Sequence, residues 1–573
     1  MRRPASLILS LAFCIVALLC SCDARRGVVT IRVVATSDVH GNVFSHDALD
    51  GTERDGSLAR VASFLKKERK ENPDLVYIDA GDILQGSVEM YRDNTAEYVK
   101  PSLAGCAYNL LGCDAMALGN HELAIGLVNC DRFLDVADFP VLAANLGFED
   151  YGDYYPPYQI IERHGVRIAV LGLVTPSVEY SIPTDVLGEF GVCDMESAAL
   201  HWIPVLRQEE KADVIIGLVH AGIENDRSKS AVPQEVNRIS RLLEQASGFD
   251  LIVYGHDHLC SVSRQADCSG DSLWIVNPGP YAENVAIADI SLDFRNSDSP
   301  EPQVNAWIES LSAVRPDEGF ATALQDRWTD TQTYCDSIVG AIDVPLVAGN
   351  ALWSTSSTAD YIHSVQLGFH GAQVSIASAV QIPDVIPAGN VTIRDMFSLY
   401  PFDNTMVSVM LRGSEIRDIL EYSVNCYYNT VSGKGGSLLN ISQPVERYLT
   451  AAGIIYTIDV TEQYGNRVNV ISMSDGSGFD MKAFYRTTVS SFLFGGSDSV
   501  LSPATGISGL ELQKRINASS RADIRFYIIT QFALAKESGR AVVIPETADW
   551  RLVPENVVRD YLAKDTIEIN TTH

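Results

Sequence analysis

Residues 29–40 read Val-Thr-Ile-Arg-Val-Val-Ala-Thr-Ser-Asp-Val-His. A β-branched apolar run passes directly into Asp38 and His40, both metal-ligand types. Four further stretches repeat the arrangement. Leu75–Ile78 runs into Asp79-Ala80-Gly81-Asp82. Ala115–Leu118 runs into Gly119-Asn120-His121-Glu122. Val214–Val219 ends at His220, and Leu251–Tyr254 ends at Gly255-His256-Asp257-His258. Short unbroken apolar runs of this kind read as buried parallel strands. Ligands of open α/β sheets bind beyond the carboxyl ends of the strands. If the five strands share one sheet, their ends deliver Asp, His, Asp, Asn, His, His and His to one place. That is the oxygen and nitrogen chemistry of a two-metal hydrolytic centre.

Outside these stretches the chain divides. Its 573 residues exceed what one core supports. From about Gly27 to Asp293, strands alternate with helical patterns such as Ser57–Lys70, which has Leu58, Val61 and Leu65 on one face. Arg295–Pro302 is a polar loop, and Val304–Ile338 reads as helical with an interruption at Pro316. After Val344 a helix over Ser354–Leu367 is followed by β-branched runs at Val374–Ile376, Met406–Leu411, Ile454–Asp459 and Arg467–Met473. The expected division is a leader at 1–21, a catalytic domain at 22–303, a helical connector at 304–343 and a C-terminal substrate domain at 344–573.

The net charge of −30 argues against nucleic acid as a partner, because phosphate backbones require a basic patch. Lys66-Lys67-Glu68-Arg69-Lys70 is read as a solvated helix face. Arg2 and Arg3 precede a short apolar run, Leu7–Leu19, which ends in Leu19-Cys20-Ser21-Cys22. This resembles a bacterial lipobox, with Cys22 as the lipidated first residue of an exported, envelope-anchored protein and the lipid as its only membrane attachment. Export permits disulfides. Cys260 with Cys268 is a candidate pair across a polar loop. Cys106 with Cys113 is a second, with buried free thiols as its alternative.

Asp38 and His40 sit two apart past a strand end and can face one ion. Gly81 allows close backbone approach to Asp82, and one carboxylate can bridge two ions. Asn120 offers a carbonyl oxygen; His220, His256 and His258 offer imidazoles. Such O/N ligation suits two divalent ions of Mn, Zn, Fe or Co.

The order D-x-H, G-D, G-N-H-E, H-A-G and G-H-x-H resembles the calcineurin-like metallophosphoesterases. Its nearest branch is the exported nucleotidases: 5′-nucleotidase, UDP-sugar hydrolase and 2′,3′-cyclic-nucleotide phosphodiesterase/3′-nucleotidase. The resemblance implies a four-layer α/β sandwich followed by an α+β substrate-binding domain. It implies one ion on Asp38, His40, Asp82 and His258 and a second on Asp82, Asn120, His220 and His256, with His121 as the catalytic histidine. Ile386-Pro387-Ala388-Gly389 and Leu399-Tyr400-Pro401-Phe402-Asp403-Asn404 are similar to segments of that branch's second domain. By the resemblance Phe402 and Phe492 sandwich a nucleobase, Asn404 bonds the nucleoside and Asp498 holds ribose hydroxyls. Core packing is the alternative for Phe402.

Two departures bear on substrate and rate. Classical 5′-nucleotidases carry a phosphate-gripping Arg before the Ile-Pro-Ala-Gly segment. Here the stretch is Ser378-Ala379-Val380-Gln381-Ile382-Pro383, which is similar to the cyclic-phosphodiesterase/3′-nucleotidase branch. Many members also place Asp or Asn three residues after the catalytic His, where this chain has Ala124, so any group orienting His121 lies elsewhere. The resulting expectation is a nucleotide-hydrolysing metalloenzyme, probing first as a 2′,3′-cyclic phosphodiesterase/3′-nucleotidase and second as a 5′-nucleotidase or UDP-sugar hydrolase. A nucleotide-binding surface lipoprotein without turnover is the alternative from another class. No G-x-x-x-x-G-K-[ST] or G-x-S-x-G occurs, so P-loop and serine-hydrolase mechanisms have no support.

Overall fold

The computed structural model describes residues 27–95, 100–147, 154–182, 190–223, 238–349, 351–378, 385–431, 437–440, 448–495 and 500–561. The chain forms two compact units that divide near Trp328 and Thr329.

In the first unit the five apolar runs are strands, but they belong to two sheets. Val28–Thr36, Val76–Asp79 and Ala115–Ala117 lie side by side in parallel in one six-stranded sheet. Val214–His220 and Leu251–Tyr254 are parallel neighbours in the other. The single sheet expected from the sequence is therefore corrected to two. Both sheets contribute to one apolar core, in which Val33, Ile78 and Ala117 pack with Val170, Ile216 and Val253. Strands buried on both faces carry no polar alternation to say which neighbour they take.

Helices cover the outer faces. Leu103–Leu111 lies on the first sheet, where Tyr108 stacks near Tyr77 and its hydroxyl donates to Asp79. Met195–Gln208 and Ile239–Gln245 share a core with Leu171, Ile215 and Ile252 of the second. The result is the four-layer α/β sandwich. The helix Leu58–Glu71 starts where the side chain of Ser57 accepts from the Arg60 amide. Its buried stripe of Leu58, Val61, Phe64 and Leu65 follows the helical period.

Residues Gln303–Ser310 correct a second expectation. They form a strand antiparallel to Asn284–Asp293, not the start of a helical connector. Val304, Trp307 and Ile308 fit a helical spacing while Val304, Ala306 and Ile308 fit a strand, and a run this short cannot choose. Helices begin only at Glu318–Ala323 and Gln325–Cys335.

The second unit is α+β. A five-stranded sheet runs in the order Leu449–Ala452, Val374–Ser378, Phe484–Ser490, Thr405–Arg412, Ile516–Asp523, with one parallel pairing and the rest antiparallel. The helix Ser357–Leu367 packs on it, and Gly413–Tyr427 buries Ile416, Ile419 and Leu420 in the larger of its cores.

All eight cysteines of the described residues are free thiols. Cys260 and Cys268 flank the six-residue strand Ser261–Ala266, whose length of roughly 20 Å exceeds any disulfide span. Cys106 lies within a helix and Cys113 beyond its end, where Cys113 bonds the Ala115 carbonyl. No helix among the described residues is long and apolar enough to cross a membrane. Cys22 lies outside the described residues.

Candidate metal centre and binding cavity

The strand ends of both sheets converge on one cluster. Three groups of ligand atoms lie mutually within 4.8 Å: Asp38, His40 and His258; His40, Asp82 and His121; Asp82, His220 and His256. Asn120 joins them, its Oδ1 lying 3.1 Å from His220 Nε2. All seven predicted ligands and His121 are thus brought together.

The backbone presents these side chains at a cost. Asp38, His40, Asp82, His256 and His258 all have left-handed φ, between 47° and 80°. Each such non-glycine residue costs about 1–3 kcal/mol, and strain of this kind concentrates at functional sites. A hydrogen-bond frame holds it in place. Asp38 N donates to Gly81 O and His40 N to Asp82 O. His256 N donates to both Asp38 carboxylate oxygens, and His121 N to Asp82 Oδ1. Two glycines lie against the ligands for want of space. A Cβ on Gly119 would fall 2.1 Å from Asp82 Oδ1, and one on Gly255 would fall 2.5 Å from Asp38 Oδ2.

Glu122 has a part that its motif does not reveal. It is fully buried, and its carboxylate accepts from the amides of Asp82, Ile83, Leu84 and Gly119. Burial, with Asp82 nearby, raises its pKa against those four donors. Glu122 thus pins the Asp82 loop to the Asn120–Ala124 helix.

The donor set fits a pair of divalent cations. His220 Nδ1 donates to the Ala80 carbonyl at 2.7 Å and His40 Nδ1 to the Gln85 carbonyl at 3.0 Å, so in each ring Nε2 is the nitrogen turned to the cluster. His220 Nε2 then faces Asp82 Oδ2 at 3.0 Å and His40 Nε2 faces His258 Nε2 at 2.9 Å. The buried His256 Nε2 has no hydrogen-bond partner among the described residues. Carboxylates and imidazole nitrogens that converge in a buried pocket are the donor set of divalent cations, which would take the place of the proton that His220 otherwise holds against Asp82.

The electrostatics separate the imidazoles. Burial, with His121 close by, lowers His40 to about 4, and burial with His220 close by lowers His256 to about 3, so both rings stay neutral ligands. Burial opposes charge on His220, but the Asp82 carboxylate outweighs it and raises the ring to about 10. Burial likewise opposes charge on Asp82, yet the imidazoles around it hold it well below the carboxylate range. Most of the ligands are buried, whereas the side chains of His121 and His258 are 36% and 40% exposed, which leaves one side open to a substrate.

In the second unit Phe402, Asn404 and Phe492 line one cleft, with Ile362, Gln366 and Ser378 among its other walls. Both Phe rings are only partly buried, which argues against simple core packing. The side chain of Asn404 is bonded to the hydroxyl of Tyr400. Behind them the fully buried Arg525 donates to Tyr400 O and Asp403 Oδ1 and lies 3.8 Å over the Phe397 ring. It pins the segment that carries Phe402, although 122 residues separate it from Asp403 and no local motif announces it. Asp498 and residues 379–384 lie outside the described residues.

Residues 31–260 match the family model for calcineurin-like phosphoesterase, and residues 338–504 match that for the 5′-nucleotidase C-terminal domain. A trifunctional nucleotide phosphoesterase of Bacillus subtilis is 26% identical over 78% of this chain, a match that spans 34% of that relative's length. A 2′,3′-cyclic-nucleotide 2′-phosphodiesterase/3′-nucleotidase of Yersinia enterocolitica is 25% identical over 80% of this chain and 78% of its own. Among solved structures, a putative 5′-nucleotidase of Staphylococcus aureus has a TM-score of 0.73 at 20% identity, covering 91% of this chain and all of that one, and shares the fold. The chain is a phosphoric ester hydrolase and belongs to the calcineurin-like phosphoesterases that carry a 5′-nucleotidase C-terminal domain.

Proposed function

We propose that the chain is an exported binuclear-metal nucleotidase whose preferred substrates are 2′,3′-cyclic nucleotides and 3′-nucleotides. The observation that carries the metal chemistry is the convergence of imidazoles and carboxylates at the strand ends. Asp38, His40, Asp82 and His258 would hold one divalent ion and Asp82, Asn120, His220 and His256 the other, with Mn, Zn, Fe and Co all suited to the donors. Such ions supply Lewis-acid stabilisation of phosphoryl oxygens and a water acidic enough to act as nucleophile near neutral pH.

The chain's own residues supply the remainder. The His121 ring is partly exposed and its Nε2 lies 3.8 Å from Asp82 Oδ2, on the ligand side of the cluster. As the bond from phosphorus to the ribose oxygen breaks, that oxygen gains negative charge. A His121 ring that keeps its Nδ1 proton and has taken up a second at Nε2 delivers that second proton to the oxygen and neutralises it. The ring also steadies the charge on the phosphoryl oxygens before it gives up the proton. In the second unit Phe402 and Phe492 offer stacking faces that accept any base, with Asn404 and, by resemblance, Asp498 addressing the nucleoside.

The choice of phosphate position is supported by Ser378 on the cleft wall, at the start of the stretch where 5′-nucleotidases carry their phosphate-gripping Arg. Relatives named for the cyclic activity support it as well. The net charge of −30 supports small nucleotides over nucleic acid as partners. Envelope anchoring through a lipid on Cys22 is supported by the Leu19–Cys22 lipobox and would be tested by acyl-chain analysis of the N-terminal peptide. Product analysis with 2′,3′-cyclic AMP, 3′-AMP, 5′-AMP and UDP-glucose tests the substrate reading. A kcat/KM for 5′-AMP well above that for the cyclic and 3′ substrates would replace it with 5′-nucleotidase activity.

A further inference from the structure

We infer that Gln85 is the positioning residue of this site: its side-chain oxygen fixes the His121 ring while its main-chain oxygen fixes the ring of His40. The inference rests on the reading of His121 as the catalytic histidine.

Gln85 Oε1 lies 2.6 Å from His121 Nδ1. An amide oxygen only accepts, so the proton sits on Nδ1 and Nε2 is the atom turned to the chemistry. The Gln85 carbonyl accepts from His40 Nδ1 at 3.0 Å and by the same logic frees His40 Nε2 as a ligand. The two rings meet edge to face with centroids 5.0 Å apart, so one residue sets the tautomer of both members of a touching pair.

The other groups that could orient His121 are accounted for. Glu122, its chain neighbour, is fully occupied by four backbone amides. Ala124 offers no side-chain acceptor. Gln85 is carried instead by a loop held on every side. The Ile83 and Leu84 amides are tied to Glu122, the Leu84 carbonyl accepts from Asn94, and the Ser87 hydroxyl donates to the Gly41 carbonyl. Gly86 lets this loop close over His40. It has φ +118°, and a Cβ there would come 2.7 Å from His40 Cβ.

Gln85→Met keeps the length and removes the acceptor; Gln85→Glu keeps an acceptor. Each is compared with wild type for kcat, KM and bound metal after loading with Zn, and for the His121 tautomer by imidazole nitrogen NMR. Gln85→Met should lower kcat by about 10- to 100-fold with KM and metal content unchanged, and convert one Nδ1–H tautomer into a mixture. Gln85→Glu should keep the wild-type tautomer and recover most of the lost rate, as should Ala124→Asp added to Gln85→Met. A raised KM at full kcat would make Gln85 a substrate contact, and metal loss in step with kcat would mean that it acts only through His40; either overturns the inference. Full turnover in His121→Ala would instead remove the catalytic reading of His121, while the NMR result would still report whether Gln85 orients the ring.

Discussion

The metal centre and the aromatic cleft differ in what holds their side chains. At the metal centre five candidate ligands sit on left-handed backbone, and main-chain amides tie Asp38, His40, Asp82 and His256 into one frame. At the cleft Phe402 and Phe492 rest by packing against two separate apolar cores, and the segment that carries Phe402 is supported from far along the chain by Arg525. A centre that must place lone pairs to within a fraction of an ångström is written in short local motifs. A surface that needs only flat area can be assembled from residues ninety positions apart. The first should therefore fail sharply under substitution and the second by degrees.

The largest effect expected from this contrast is at Asp82. Asp82→Asn removes the charge shared by two of the candidate ligand groups, and turnover should fall at least about 1000-fold with folding intact, since on the proposed reading this carboxylate would serve both ions and its loss would weaken metal binding and the Lewis-acid chemistry together. Metal analysis beside kcat checks it. Full activity at one ion per chain would break the comparison at its stronger end.

An intermediate effect is expected beneath the cleft. His363 is buried between Ser375 and Thr450. Ser375 spends its proton on Gln366 and so accepts from His363 Nδ1. Burial lowers this ring to about 4. The unfolded chain, with an ordinary value near 6.5, binds more protons between those two pH values. The stabilisation is therefore complete above about 6.5 and is lost as pH falls toward 4, by about 3 kcal/mol in all. Urea unfolding of the full chain from pH 7 to pH 4 should show wild type losing about that much more stability than His363→Gln. Equal losses would show that the ring does not carry the acid sensitivity.

The smallest effects belong to the rings themselves. Phe402→Ala and Phe492→Ala should each raise KM for nucleotides by an amount equivalent to about 1–3 kcal/mol, with hydrolysis of small aryl phosphates much less affected. Equal losses on both substrates would return these rings to the role of core residues and erase the distinction between the two sites.

What the sequence made legible follows the same division. Asp38, His40, Asp82, Asn120, His220, His256 and His258 were readable because each closes a hydrophobic run, and the runs are strands. Their distribution between two sheets was not readable, because a strand buried on both faces carries no mark of its neighbour. Gln303–Ser310 was misread because eight residues satisfy both periods. Gln85 and Arg525 were invisible for a different reason. Their partners are 36 and 122 residues away, and only the folded chain brings them to hydrogen-bond distance.

Gly119 and Gly255 carry one more consequence. Neither needs a left-handed backbone, and neither bears a functional group, yet the space their missing side chains would fill is taken by the Asp82 carboxylate at Gly119 and by the Ser37 hydroxyl and the Asp38 carboxylate at Gly255. In a saturation screen for lost activity they should therefore score with Asp82 and Asp38 themselves. A survey that ranks positions by chemical identity would pass over both. The mutational footprint of this centre is wider than its list of donors, and its outer edge is drawn by absent atoms.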